Sequence, residues 1–176
     1  MKILPYTFLF INGRSMNFII LIILALGISG CATPSTHLVS IETNEYCVLL
    51  QNKAVAKNIL LAQYEEWKGA KYEYGGLTKN GVDCSGLIYE TFLTKFGIKL
   101  PRKSIIQGKV GIDISVSLLQ PGDLVFFKTG ITARHIGIYI DDSDFIHVSE
   151  TLGVTKSSLN DPYWHARYWK ARRITM

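Results

Sequence analysis

The stretch from His135 to Ser149 limits what this chain can fold into more than any other. His135-Ile136-Gly137-Ile138-Tyr139-Ile140 and Phe145-Ile146-His147-Val148-Ser149 both alternate with period two, and Asp141-Asp142-Ser143 lies between them. Period-two alternation is the mark of a strand with one buried face, and a short polar triplet between two such strands makes an antiparallel hairpin. The set Ile136, Ile138, Ile140 must share its face with Ile146 and Val148. Paired residue numbers must therefore sum to an even value, because a slip of one residue would turn one apolar set to the wrong side. With the turn centred on Asp141, Ile136 is expected opposite Ile146 and His135 opposite His147. Directly opposed residues have Cβ atoms about 4.5–5.5 Å apart, so the imidazoles become neighbours. A register displaced by two residues leaves them diagonal neighbours.

A second stretch supplies a reactive group for these rings. Gly81-Val82-Asp83-Cys84-Ser85-Gly86 is a glycine-containing loop, and Leu87, Ile88, Phe92 and Phe96 then follow at helical spacing until Gly97 stops the run. Cys84 falls in the first turn of that helix. Unpaired N–H groups and the positive dipole end favour a thiolate there, so a lowered thiol pKa is expected. A free cysteine is more commonly a small buried hydrophobe. Two histidines on one sheet face favour the nucleophile instead, with one ring as base and the second as its orienting partner. A zinc site built from the same three residues is disfavoured, because they come from distant segments without local zinc spacing. No metal or cofactor is called for.

In 176 residues, 48% hydrophobic and 19% charged, there is room for one globular domain and an additional segment. That segment is N-terminal. Phe18 to Ile28 is apolar apart from Gly27, follows Lys2 and Arg14, and ends in Ile28-Ser29-Gly30-Cys31. It reads as a signal peptide over residues 1–30, too short for a comfortable membrane span. Met1 and Met16 are both admissible starts, and an uncleaved anchor helix is the alternative, since Ile3 to Ile11 is also apolar. Ile28-Ser29-Gly30-Cys31 resembles a bacterial lipobox, which implies lipidation of Cys31. Ala32, rather than an aspartate, after the cysteine resembles lipoproteins sorted to the outer membrane, facing the periplasm. Residues 31–52 are then a lipidated tether and 53–176 the domain. Loss of Lys2 and Arg14 lowers the formal charge from +5 to +3. No basic block or aromatic-interleaved basic stripe remains, so nucleic acid is not an expected partner. Cys47 has no assigned role, and a Cys47–Cys84 bridge would silence the nucleophile.

Within the domain, a helix is expected over Lys53–Trp67, with Val55, Ile59, Ala62 and Glu66 on one face and Leu60 and Trp67 widening it. Tyr72-Glu73-Tyr74-Gly75-Gly76 leads to the cysteine loop, and a tyrosine beside a nucleophile can donate to an oxyanion or simply pack. Arg102, Ser104 and Gln107 follow the break at Leu100-Pro101 and either line a groove or stay solvated. Pro121-Gly122 reads as a type II turn before a strand buried on both faces, Leu124-Val125-Phe126-Phe127. A last strand is expected over Tyr168 to Ile174.

Taken in order, these blocks resemble the NlpC family of papain-like cell-wall cysteine peptidases, and among them the murein endopeptidase lipoproteins. The resemblance runs from about Trp67 to Ile174. It is carried by Trp67-Lys68-Gly69, Tyr72-Glu73-Tyr74-Gly75-Gly76, Gly81 to Gly86, Leu100-Pro101-Arg102, Gln120 to Phe127, His135 to Tyr139, Phe145-Ile146-His147, Gly153-Val154, Tyr163-Trp164 and Ala171-Arg172-Arg173. It implies an α+β papain-like fold with the Cys84 helix packed on an antiparallel sheet. It also implies Cys84 as nucleophile, His135 as base, His147 as the polar third residue and Tyr72 as an oxyanion or substrate contact. Asp83 and Ser85, with Arg102 nearby, fall to substrate binding. The implied reaction is hydrolysis of amide bonds in peptidoglycan stem peptides through a thioester, by a monomer with no cofactor. A cysteine-dependent amidase or acyltransferase acting on another substrate, and a non-catalytic wall-binding lipoprotein, are the competing readings. Two positions depart from the family pattern: Lys71 replaces a proline, and Arg134 precedes His135 where a small polar residue is commoner.

Overall fold

In the computed structural model, residues 48–131 and 133–175 are described. Cys31, Cys47 and the whole signal segment lie outside them. After a helical turn over residues 48–51, whose Leu49 and Leu50 pack on the core, the helix α1 covers Lys53–Trp67 and is capped by the Asn52 side chain, which accepts from Val55 N–H. Its bounds match the sequence reading, and its buried face does so in part, since Leu60 and Trp67 are buried as expected. The core side holds Ala56, Leu60, Gln63 and Trp67, whereas Ala62 and Glu66 are exposed. Gln63 takes a place in that face with its amide nitrogen donating to Thr91 Oγ1 at 3.2 Å. Glu66 instead pairs with Lys79 and Lys95.

A small ribbon of β1 (Leu77–Thr78) and β2 (Gly81–Val82) leads into α2 (Cys84–Phe96). Asp83 caps α2 from an extended backbone, and Gly97 closes it in the left-handed region at φ 63°. Leu87, Ile88, Phe92 and Phe96 are all buried, as their spacing requires. Fully burying four such side chains is worth about 1.5–3 kcal/mol each before entropy costs. Packing therefore fixes where the helix start lies. A short α3, Ser104–Gln107, follows, and Gln107 is buried with its amide donating to the carbonyls of Ser85 and Pro101.

The second half is a six-stranded antiparallel sheet. In chain order its strands are β3 (Ile112–Ile114), β4 (Leu124–Lys128), β5 (Arg134–Asp141), β6 (Asp144–Ser149), β7 (Gly153–Ser158) and β8 (Tyr168–Arg173); a six-residue helix, α4 (Pro162–Arg167), precedes the last. The spatial order is β3-β8-β4-β5-β6-β7. Leu124, Phe126, Ile136, Ile138, Ile146 and Val148 face α1 and α2 and form the main core. Val125, Phe127 and Phe145 face the other way, into a smaller cluster with Tyr168 and Trp164. The α+β architecture and the doubly buried β4 agree with the sequence reading.

The hairpin keeps its predicted parity but not its predicted register. Ile138 pairs with Ile146 and Tyr139 with Phe145, two residues away from the expected pairing. The turn is centred one position later than expected: Asp142 and Ser143 both take positive φ, 51° and 73°. That is the backbone of a two-residue type I′ turn, without the usual glycine. An irregularity between Tyr139 and Asp141 then restores the even sum. Gly137 is sterically required in this register. A Cβ there would come within 2.6 Å of the Phe145 ring and 2.8 Å of the Ile146 carbonyl.

Candidate active site

Cys84 opens α2 at one wall of a cleft of about 590 Å³, and Tyr72, Arg134, His135, His147 and Trp164 contribute the others. The two histidines are diagonal rather than directly opposed, yet His135 Nε2 lies 3.0 Å from His147 Nδ1. His147 Nε2 in turn lies 2.9 Å from Ser157 Oγ on β7. A hydrogen-bonded line thus runs from His135 at the cleft through buried His147 to Ser157. Trp164 closes it from the side, stacked on His135 with centroids 5.3 Å apart and edge-on to His147 at 4.8 Å. Phe145 packs on His147 at 5.1 Å.

This aromatic surround sets the protonation of both rings. Burial lowers the His135 pKa to about 4, and burial together with the neighbouring charge of His135 lowers that of His147 to about 3. Both imidazoles are therefore neutral at pH 7. Burial also pushes the Cys84 thiol up to about 11, assisted by the Asp83 carboxylate. The main-chain N–H groups of Ile136, Ser85 and Cys84 oppose that rise but do not overcome it. The expectation of a lowered thiol pKa at this helix start is thus corrected. The helix does offer N–H groups to the sulfur, but the side chain is too poorly solvated for them to prevail. Burial also raises the Tyr72 pKa, with a further contribution from Cys84, so its hydroxyl keeps its proton at neutral pH.

Asp83, Ser85 and Arg102 form a separate polar centre under the start of α2. Arg102 grips the Asp83 carboxylate with both terminal nitrogens, at 2.8 and 2.9 Å, and also donates to Ser85 Oγ and to the Gly76 carbonyl. Asp83 further accepts from the N–H of Gly75 and of Gly86, at 2.8 and 2.7 Å, and from Ser85 Oγ. Burial alone would raise its pKa, but Arg102 and the two N–H groups hold the carboxyl below the usual range. The bidentate fork is the strong form of such a pair. Gly86 is part of this fit, since a Cβ there would stand 2.4 Å from the Gly76 carbonyl oxygen. None of the three lines the Cys84 cleft. Of the other residues considered from the sequence, Tyr74 is 89% exposed and outside the cleft.

Trp164 and Ser157 were not identified as site residues from sequence. One signal for Trp164 was readable: Asp161-Pro162 is a helix start, and the Asp161 carboxylate accepts from Tyr163 and Trp164 N–H. Ser157 carries no such signal. Among the described residues, no group of three His, Cys, Asp or Glu side chains is placed to hold a metal ion.

An α+β domain that sets a helix-borne cysteine beside two sheet-borne histidines falls in the papain-like class of thiol-dependent hydrolases. Within that class the chain belongs to the NlpC/P60 family, whose model matches residues 69–173. It is 45% identical over 148 residues to the murein DD-endopeptidase MepS/murein LD-carboxypeptidase of Escherichia coli K12, covering 80% of this chain and 78% of that protein. It is 38% identical to the probable endopeptidase NlpC of the same organism, over 90% of this chain and all of the relative. An NlpC/P60 family protein from Bacillus cereus ATCC 10987 superposes with a TM-score of 0.61 at 31% identity, over 66% of this chain and 39% of that one. The NlpC/p60 domain of the peptidoglycan hydrolase SagA superposes at 0.58, over 67% of this chain and 98% of its own; at 24% identity that likeness concerns the fold.

Proposed function

We propose that the protein is a peptidoglycan hydrolase that cleaves amide bonds of stem peptides or their cross-links with Cys84 as nucleophile. The observation that carries the mechanism is the line His135–His147–Ser157 ending in the cleft that holds the thiol. The substrate class is supported by the murein endopeptidase names of relatives at 38–45% identity.

The line of hydrogen bonds fixes which nitrogen does the work. For His135 to take the thiol proton on Nδ1, its Nε2 must carry the hydrogen and donate it to His147 Nδ1. His147 then holds its own hydrogen on Nε2 and donates to Ser157 Oγ, so one tautomer satisfies every member. With a thiol pKa near 11, free thiolate is scarce at neutral pH. Proton transfer to His135 therefore accompanies attack of sulfur on the scissile carbonyl. The Cys84 N–H and the Tyr72 hydroxyl stabilise the resulting oxyanion. His135 returns its proton to the leaving amine as the C–N bond breaks, leaving a thioester. Water then attacks the thioester with Nδ1 as base, the C–S bond breaks, and the acid departs with the thiol restored. Asp83, Ser85 and Arg102 hold the start of α2, and with it Cys84, in place.

We place the enzyme at the outer membrane, facing the periplasm, with lipid on Cys31 and the residues between it and the core-packed Leu49 as its tether; Ile28-Ser29-Gly30-Cys31-Ala32 supports this. A Cys31→Ser chain should leave the membrane fraction, and unchanged fractionation would remove the lipid reading. The activity is tested by mass spectrometry of purified muropeptides incubated with the full chain in detergent. Wild type should release new amines, Cys84→Ala should release none, and chelators should have no effect. Digestion by Cys84→Ala at the wild-type rate would overturn the mechanism. Inert wild type would make wall binding the better account.

A further inference from the structure

A second groove, of about 390 Å³, lies beside the catalytic cleft and shares one wall with it, the side chain of Arg134. Phe126 and Trp169 line it together with Lys109, Lys170 and the first residues of α3. Trp169 owes its position to a β-bulge. Phe126 pairs with Lys170 and Phe127 with Tyr168, so Trp169 is the extra residue of β8 and its indole is re-aimed to the rim.

Three cations converge on that indole. Lys170 Nζ lies 4.7 Å from the ring centroid, Lys128 Nζ 5.1 Å and the Arg134 guanidinium carbon 5.4 Å. Lys128 and Arg134 are direct cross-strand partners, an arrangement that repels when both charges have the same sign. Stacking on an indole offsets part of that repulsion but neutralises no charge. Among the described residues, none of Lys109, Lys128, Arg134 and Lys170 forms an ion pair with a carboxylate. Their basic neighbours on β8 are not left so: Arg172 pairs with Asp113 and Arg173 with Asp123. Asp113, whose carboxyl is influenced by Lys170, is thereby already engaged. Exposed Ile105 and Ile131 add apolar walls.

An uncompensated positive groove with aliphatic walls fits an extended, carboxylate-bearing peptide, and Arg134, which lines both the groove and the cleft, sets that peptide alongside the catalytic cleft. We propose that this groove is a substrate subsite that binds free carboxylates of the stem peptide on one side of the scissile amide, with Arg134, which lines it, and Lys128, which stacks on the Trp169 indole at its edge, as specificity-determining residues. It rests on the peptidoglycan reading, whose stem peptides carry free carboxylates on acidic and C-terminal residues. It accounts for the arginine before the catalytic-strand histidine, where a small polar residue is the family habit. An anionic lipid surface would also suit cations and isoleucines, but it gives no reason for Arg134 to line the catalytic cleft as well as the groove.

The test compares cross-linked muropeptide dimers with the same dimers whose carboxylates have been converted to carboxamides. Wild type should show a KM about tenfold higher on the amidated dimers with kcat little changed, the scale of one or two charge-assisted contacts. Lys128→Gln should narrow that difference to about twofold, and Lys128→Arg should restore it. Lys128 is solvent-exposed on its strand, so the Gln variant should fold. Equal KM on both substrates, or an undiminished preference in Lys128→Gln, would overturn the proposal. So would loss of binding to phosphatidylglycerol vesicles in Lys128→Gln on a Cys31→Ser background with the preference intact, which would assign the patch to a membrane. Failure of wild type to cleave either dimer would instead strike the hydrolase reading.

Discussion

Two polar centres flank the nucleophile, and they are built on opposite principles. Beneath the start of α2, Asp83 and Arg102 are charged, paired through two hydrogen bonds and tied to Ser85 and three backbone groups. Across the cleft, His135, His147 and Ser157 form a line with no charge at neutral pH, packed against Trp164 and Phe145. Charge suits a group that must not move, because a bidentate pair gains from rigidity. Neutrality suits a group that must accept a proton, since a ring already protonated is no base. The difference teaches that polarity near a thiol is not one property: one centre holds the helix, and the other exchanges a proton.

The comparison makes graded predictions. The largest effect belongs to His135→Ala, which removes the base. General-base catalysis alone is worth about 10²–10⁴-fold, so kcat/KM on muropeptides should fall by at least that range while the thermal midpoint stays near wild type. Retention of more than a tenth of wild-type activity would break the assignment of the proton-exchanging centre. Next is Arg102→Met, which leaves a partly buried carboxylate without its cation. Removing one partner of a buried pair costs about 3–5 kcal/mol. Arg102 keeps 31% of its side-chain surface, so about 2 kcal/mol is the expected loss in denaturant unfolding. A variant as stable as wild type but inactive would move Arg102 from holding the helix to touching the substrate. Smallest is His147→Asn, because an amide oxygen can still accept from His135 Nε2. We expect a loss of about tenfold, against a larger loss in His147→Ala. Equal and complete loss in both would mean that the second ring does more than orient the first.

Much of the site is legible in the sequence. The bounds of Lys53–Trp67, the helix that starts at Cys84 and the face shared by His135 and His147 all follow from apolar spacing, which records burial directly. What escaped was whatever depends on a non-local partner or on solvation. The register of the hairpin shifted by two because Asp142 and Ser143 accept positive φ without glycine. The buried face of α1 is legible at Leu60 and Trp67 but not at Gln63, whose hydrogen-bond partner lies 28 residues away, on α2. Ser157 and Trp164 reach the histidines from β7 and α4, segments with no alternating pattern to announce them. The thiol pKa was expected to fall because a helix start is visible in sequence, whereas desolvation by the cleft walls is not.

The contrast between a charged centre and a neutral one rests finally on the protonation of two rings. It is tested most directly by titrating His135 and His147 in the full chain with ¹⁵N imidazole NMR. Their lowered pKa values mean that the unfolded chain binds protons which the folded chain refuses. Stability should therefore be complete above about pH 6.5 and decline as pH falls toward 4. We predict both rings neutral at pH 6, hydrogen on Nε2 of each, and titration near 4 for His135 and near 3 for His147. An imidazolium signal from His135 at pH 7, titrating together with the Cys84 thiol, would contradict the account and make the resting site a thiolate–imidazolium pair.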